Sequence, residues 1–466
     1  MLARPTSPWF ALALALASVA CVADGKGSEA ADGTGDGDGD GESGDGDGDA
    51  QDLRPNWHQD IAPIVHQRCV QCHREDGVGP MALTDYAAAA PWAGVMLHEI
   101  DAGTMPPWGA QDTDRCTPEH DFKDDPSLTT DEIALFSAWL ANGTPEGDPA
   151  DAVDLPEPPS TDLAGVSGTF TNGSDFTVDG PNDDYVCFSV DLGLSQTKYL
   201  DGVQMLPDND QVVHHVLVWI TDVPPAQHPN PYPCFATPAG GIPLNQAKLV
   251  AIWVPGSPAT QFPEGVSVEV PAGSHVVLAY HYHAPGPGSY VDRSSVALRW
   301  RDEPTPWQGQ FMFLGVNPSA PQLITPPFMI PAGAVNHPET VGEAWPGEAV
   351  SLFSVGSHMH YVGRDQLIAV QRAGQTPQES QCMLHTPAWD FNWQRFYELD
   401  MPLEQLPTLA SGDTVWMDCR YDNTMENPGV AQALAEKGLT EPQDVYWGEG
   451  TLDEMCVALL GVAWPR

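Results

Sequence analysis

Val276-Val277-Leu278-Ala279-Tyr280-His281-Tyr282-His283 is a run of β-branched, apolar and aromatic residues that ends on two histidines two positions apart. Extended backbone sends successive side chains to opposite faces, so a strand here would project His281 and His283 from one face. Similar runs recur at Val212 to Ile220, Val350 to Val355, Leu367 to Gln371 and Thr414 to Tyr421, separated by clusters of Pro, Gly and Asn. Few helical periods survive after Gly165, except around Ala431 to Leu439. This spacing predicts all-β sandwiches, and about 300 residues suffice for two of them.

Two further histidine strings flank that run. His358-Met359-His360 repeats the two-apart pair, whereas His214 and His215 are adjacent. In a regular strand adjacent residues face opposite ways, so a shared ion at His214 and His215 requires a local distortion or an edge position. A single strand histidine is more often a hydrogen-bonded core residue than a ligand. Three clusters in one chain shift the expectation to metal. Imidazole suits copper and zinc alike, but Met455, in Gly450-Thr451-Leu452-Asp453-Glu454-Met455-Cys456, offers a thioether, which favours Cu(I).

Nearer the N-terminus stands Cys69-Val70-Gln71-Cys72-His73. Two thiols one helical turn apart can form two thioether bonds, and the following His then ligates iron from the same side. We expect one covalent haem c at Cys69, Cys72 and His73. The zinc alternative lacks a second Cys-x-x-Cys pair. Met105, in Gly103-Thr104-Met105-Pro106-Pro107-Trp108, is the candidate for the opposite axial ligand, since two prolines would hold it on a rigid loop. Met81, Met96 and His98 are its rivals. Leu128 to Gly143 reads as a capped helix, with Thr129 or Thr130 before Asp131-Glu132 and Asn142-Gly143 as the stop. Residues 55–150 resemble small bacterial class I cytochrome c domains, and the Pro- and acid-rich residues 151–163 read as a linker.

The ends and the charge add a location. Residues 1–21 look like an export signal, with Arg4 before the apolar run Trp9 to Ala20. The run closes on Ser18-Val19-Ala20-Cys21, which resembles a bacterial lipobox and makes Cys21 a candidate for lipidation. An ordinary cleaved signal peptide is the alternative. Residues 22–54, mostly Gly, Asp, Ser, Glu and Ala, have no apolar surface to bury and read as a tether. Export and anchoring imply an extracytoplasmic protein, held at the periplasm or cell surface by lipid and touching the membrane through it alone. The chain carries 64 Asp plus Glu against 18 Lys plus Arg, a surface that repels phosphate backbones and excludes nucleic acid as a partner.

His214-His215, His281-Tyr282, His358-Met359-His360 and Asp453-Glu454-Met455-Cys456 stand in one order, and together they resemble the copper type II, ascorbate-dependent monooxygenases. That is the family of peptidylglycine α-hydroxylating and dopamine β-monooxygenases. The resemblance spans roughly residues 180–466. It implies an electron-storing copper on His214, His215 and His281, and an oxygen-binding copper on the catalytic His358, His360 and Met455. Each copper would sit on its own jelly-roll-like sandwich, at residues 164–305 and 306–466, facing the other across a cleft. It also implies a disulfide between Cys419 and Cys456, beside the methionine. Cys187 with Cys234 is a candidate second bridge, while Cys116 and Cys382 stay unassigned. The peptide-amidating branch has Arg where this chain has Gly356 and Tyr where it has Leu459, so a peptide carboxylate is not the expected substrate. That branch also has Gln where this chain has Ala279. His283 ranks below His281 as a ligand.

The expected architecture is therefore multidomain, a small all-α cytochrome c domain followed by two all-β jelly-roll-like sandwiches. The expected activity is a monooxygenase that hydroxylates a C–H bond of a small organic molecule with O2. Electrons would come from ascorbate or a protein donor, relayed through the haem. The rival is a non-catalytic haem and copper electron-transfer or copper-binding protein, which would have no need of an oxygen site at Met455.

Overall fold

The computed structural model describes residues 54–466, apart from 76, 159, 181–182, 224–229, 235–241, 243–245, 285, 316–327, 346, 392, 449 and 451. The expected signal, Cys21 and all of the tether but its last residue lie outside the described residues. No helix among the described residues is long and apolar enough to cross a membrane.

Strands dominate from Gly168 onward. Among the described residues the longest sheet has 15 strands, and toward one end of it His275–His283 lies between Asp183–Asp191 and Val213–Thr221, all antiparallel. Val276, Val277, Leu278 and Tyr282 are completely buried, because this strand has neighbours on both edges and packing on both faces. Full burial of each such side chain contributes about 1.5–3 kcal/mol. Trp307–Leu314 joins the two halves of the β region. It pairs parallel with Val266–Val270 through Trp307 and Gln308, and antiparallel along its length with the last strand, Val457–Pro465. Val350–His358 then pairs with Val457–Pro465 on its far side.

A second sheet of four strands runs in the order His337–Ala344, Thr414–Tyr421, Gly363–Gln371, Gln381–Thr386. It is stapled to the first by the disulfide Cys419–Cys456, and the Tyr421 hydroxyl donates to the Met455 carbonyl at 2.8 Å. Cys187–Cys234 closes the other half, and Cys116–Cys382 is a third bridge.

That third bridge bears on a correction. The described residues are 16% helical and 38% strand, and they form no all-α cytochrome domain. Between residues 54 and 151 the helices are short. The longest is Thr130–Ala141, with the expected Thr129–Glu132 capping box. A small apolar cluster around Ile61, Val65, Phe136 and Trp139 holds them together. Residues 104–128 contain no helix, since Pro106 and Pro107 withhold donors and the Asp-, Thr- and Pro-rich stretch after them lacks an apolar period. This stretch belongs to the β body instead. Ala110 is part of the main core with Trp108 and Phe122 packed on it, and Arg115 bridges Asp365 and Asp418 at 2.8 Å each.

Candidate metal and haem sites

The distortion demanded by two adjacent histidines is present. Along the pairing of His275–His283 with Val213–Thr221, His281 faces His215 but Tyr282 faces Val213, so His214 is the extra residue of a β-bulge. The bulge lets both neighbours turn toward His281. One ring nitrogen from each of His214, His215 and His281 lies within 4.8 Å of the others. The Nδ1 atoms of His214 and His215 are 3.1 Å apart, and the buried Nδ1 of His281 has no hydrogen-bond partner. Burial holds all three imidazoles below their usual pKa, His214 and His215 far below, so each is a neutral donor. His281 stacks on Tyr185 at 4.4 Å. His283 turns aside, with its Nδ1 2.7 Å from Asp183 Oδ1, and Lys437 donates to the other oxygen of that carboxylate at 2.8 Å.

His358 ends the strand Val350–His358, and His360 follows on the loop after it. The two rings are 5.3 Å apart and nearly perpendicular. Each Nδ1 is occupied, leaving Nε2 for other work. His358 Nδ1 meets Gln394 Oε1 at 2.6 Å, and His360 Nδ1 meets the Asp453 carbonyl at 3.0 Å. Burial pushes His360 down to about 3 and lowers His358 as well. Glu454 ties the loop to the methionine strand. Its buried carboxyl accepts from the backbone N–H groups of His360, Val362 and Met455, and burial raises it to about 8 against those bonds.

The two sets are neighbours. Phe391 stacks on His214 at 4.9 Å and meets His360 edge-on at 6.2 Å. His215 and His281 from one set, with His358, His360 and Met455 from the other, line a single cavity of about 560 Å³. Its remaining wall is mostly apolar, with Leu217, Ile252, Phe313 and Leu459 prominent. At Gly356 a Cβ would stand 2.9 Å from the Arg395 carbonyl, so no larger side chain fits there without a shift.

In the N-terminal segment Cys69 and Cys72 are unbridged and half-buried. His73 Nδ1 lies 3.2 Å from the Met81 carbonyl, again leaving Nε2 available. The loop around this histidine is tight, and a Cβ on Gly79 would stand 2.7 Å from His73 Nδ1. Met81 and Met96 pack on the same apolar cluster as Cys69, whereas Met105 is half-buried outside it. Sequence reasoning missed Gln394, Phe391, Asp183 and Glu454. Only Glu454 carried a signal, by standing next to Met455.

No family model and no curated protein matches the sequence. Among solved structures, the major capsid protein P2 of bacteriophage PM2 aligns at 7% identity over 64% of this chain and 98% of its own, with a TM-score of 0.27. A fucolectin from striped bass (Morone saxatilis) serum aligns at 9% identity over 62% of this chain and 85% of its own, with a TM-score of 0.16. Scores this low carry no argument about the chemistry of this chain.

Proposed function

We propose that this chain is an exported, copper-dependent monooxygenase that hydroxylates a C–H bond of a small, largely apolar organic molecule. The observation that carries it is the one cavity shared by the two histidine sets and Met455. Its volume is in the range of small-molecule sites. His214, His215 and His281 would hold one copper ion, and the neutral, preformed nitrogens and the orphaned Nδ1 of His281 fit that role. His358, His360 and Met455 would hold the other, with Met455 the soft ligand. When bound, the two ions supply one-electron chemistry with O2, so that one oxygen atom enters the C–H bond and the other leaves as water.

The protein's own part is positional. Gln394 and the Asp453 carbonyl fix the ring faces of His358 and His360. Burial keeps the imidazoles unprotonated, so ligand nitrogens stay free well below neutral pH. Phe391 and Tyr185 cover the histidines and exclude water. The apolar wall orients a substrate that carries little charge.

The free cysteines, the available Nε2 of His73 and the close fit of Gly79 suit a covalent haem at Cys69, Cys72 and His73. Such a haem supplies single electrons drawn from ascorbate or a protein donor. A lipid anchor at Cys21 would hold the protein outside the cytoplasm.

Metal analysis of the full chain is the test. We expect about two copper ions per chain, with sulfur scattering at copper in the reduced protein. Stoichiometric zinc, with no copper after reconstitution, would overturn the assignment.

A further inference from the structure

The two redox sites share a piece of wall. Gln394, whose Oε1 lies 2.6 Å from His358 Nδ1, is followed directly by Arg395. The Arg395 guanidinium sits 5.0 Å over the Trp108 ring, and Trp108 packs edge-on against Tyr397 at 4.9 Å. Trp108 stands three residues after Met105, so this guanidinium lies beside the segment that carries the candidate axial methionine. Trp393 and Val78 come together over Gly256, within 4.0 and 3.6 Å of the place its Cβ would take. Val78 lies in the loop around His73, and both side chains are exposed, at 51% for Val78 and 41% for Trp393. An exposed apolar pair beside Cys72 is a surface that a flat macrocycle would cover. The chain has 64 acidic against 18 basic residues, yet among the described residues no carboxylate is paired with Arg395.

We propose that residues 393–395 are the junction between the sites: Arg395 holds a carboxylate of the haem linked at Cys69 and Cys72, and Gln394 holds His358. Electrons therefore arrive at the His358 side, not at the His214 and His215 side. The covalent backbone of two residues and one hydrogen bond form the link, a better electronic route than a gap through solvent. With both groups bound, the haem at Cys69 and Cys72 would supply one electron, passing from ferrous to ferric, and a copper held at His358 would take it up, passing from cupric to cuprous. A one-electron reductant such as ascorbate or dithionite refills the haem. The inference rests on the haem and copper assignments above.

The test uses the full chain, loaded with haem and copper. Spectroelectrochemistry of the haem reads Arg395, because removing a positive charge beside the haem favours the ferric form. We expect Arg395→Gln to lower the haem potential and Arg395→Lys to restore most of it. Anaerobic rapid mixing of dithionite-reduced haem with cupric sites reads Gln394. Gln394→Leu should slow haem oxidation by about tenfold, the factor carried by one strong hydrogen bond, with the haem potential unchanged. Copper content and near-ultraviolet circular dichroism check that each variant is folded.

A haem potential indifferent to Arg395→Gln would overturn the carboxylate contact and leave that arginine to a substrate carboxylate in the cavity. An unchanged rate in Gln394→Leu, with a slowed rate in His214→Ala, would move the arrival point to the other site. Absence of covalent haem or of copper from the parent chain would overturn the functional reading itself, and with it the junction. Loaded but unresponsive variants would overturn the junction alone.

Discussion

In the proposed function, Met455 is the residue on which the chemistry turns. It is buried beside Val457 and Leu459, with Trp447 and Phe396 against the same small cluster. Its backbone is pinned by the Tyr421 hydroxyl and by the Glu454 carboxyl. Isoleucine keeps the bulk and removes the sulfur, at about 1 kcal/mol or less for a volume-conserving exchange. We expect Met455→Ile to fold, to keep copper at His214, His215 and His281, and to lose oxygen-dependent turnover by at least about a hundredfold. Copper titration together with an oxygen electrode checks it. Retained turnover would make Met455 a packing residue. Gln394 and Glu454 stand one step behind the proposed ligands, and only Glu454, next to Met455, carried a signal in the sequence. Nothing local marks a glutamine 36 positions from His358 as the group that fixes its ring.

At the scale of elements, two devices hold the site together. The first is Cys419–Cys456, which closes a separation of 37 residues and anchors the strand that begins just after Met455. Chain-entropy arguments give such a loop about 4 kcal/mol. We expect Cys419→Ser to lower the unfolding free energy by roughly that amount and to weaken the His358 copper before the His214 copper. Denaturant titration with metal analysis reads both.

The second device is Asp365, which clamps the irregular 104–128 stretch to the four-stranded sheet. It accepts from Arg115 at 2.8 Å and lies 3.1 Å from His385 Nε2. Burial would raise its pKa, but the hydrogen bonds from His385 and Arg115 outweigh it and hold the group below 3.8. A carboxyl depressed in the folded state stabilises above its unfolded value and loses that contribution as pH falls through the folded one. The clamp should therefore survive at pH 5 and release only below about 3.8. Limited proteolysis of residues 104–128 across that range checks it. Asp365→Asn should show the released pattern already at neutral pH.

For the whole molecule, the division of the chain matters more than the count of its parts. Residues 54–103 carry most of the small helical cluster, whereas Trp108, Ala110 and Phe122 pack on the main core and Cys116 is bridged to Cys382. We expect a chain lacking residues 54–103 to fold and bind copper. A chain lacking 54–150 should be less soluble and less stable, because it bares Tyr397 and leaves Cys382 unpaired. Expression yield and thermal unfolding of the two truncations distinguish these outcomes, and equal stability would show that 104–128 is only draped on the surface.

The strands, the histidine pairs and the Cys-x-x-Cys-His string were legible in the sequence because each depends on spacing within a few residues. Alternation puts His281 on one face, two thiols one turn apart can both reach one ring, and Thr129 with Glu132 caps its helix whatever lies around it. The demand for a distortion at His214 was also local, and the bulge met it. The helical character expected for residues 55–150 was not settled locally. The absence of periodicity after Pro107 left residues 104–128 free to follow their apolar side chains onto the β body. Only the tertiary structure brought His214 and His360 to either side of Phe391, set Gln394 behind His358, and laid Arg395 over Trp108. Such contacts join residues tens to hundreds of positions apart, and they follow from how sheets pack and which groups burial leaves needing a partner, which no short window of sequence encodes.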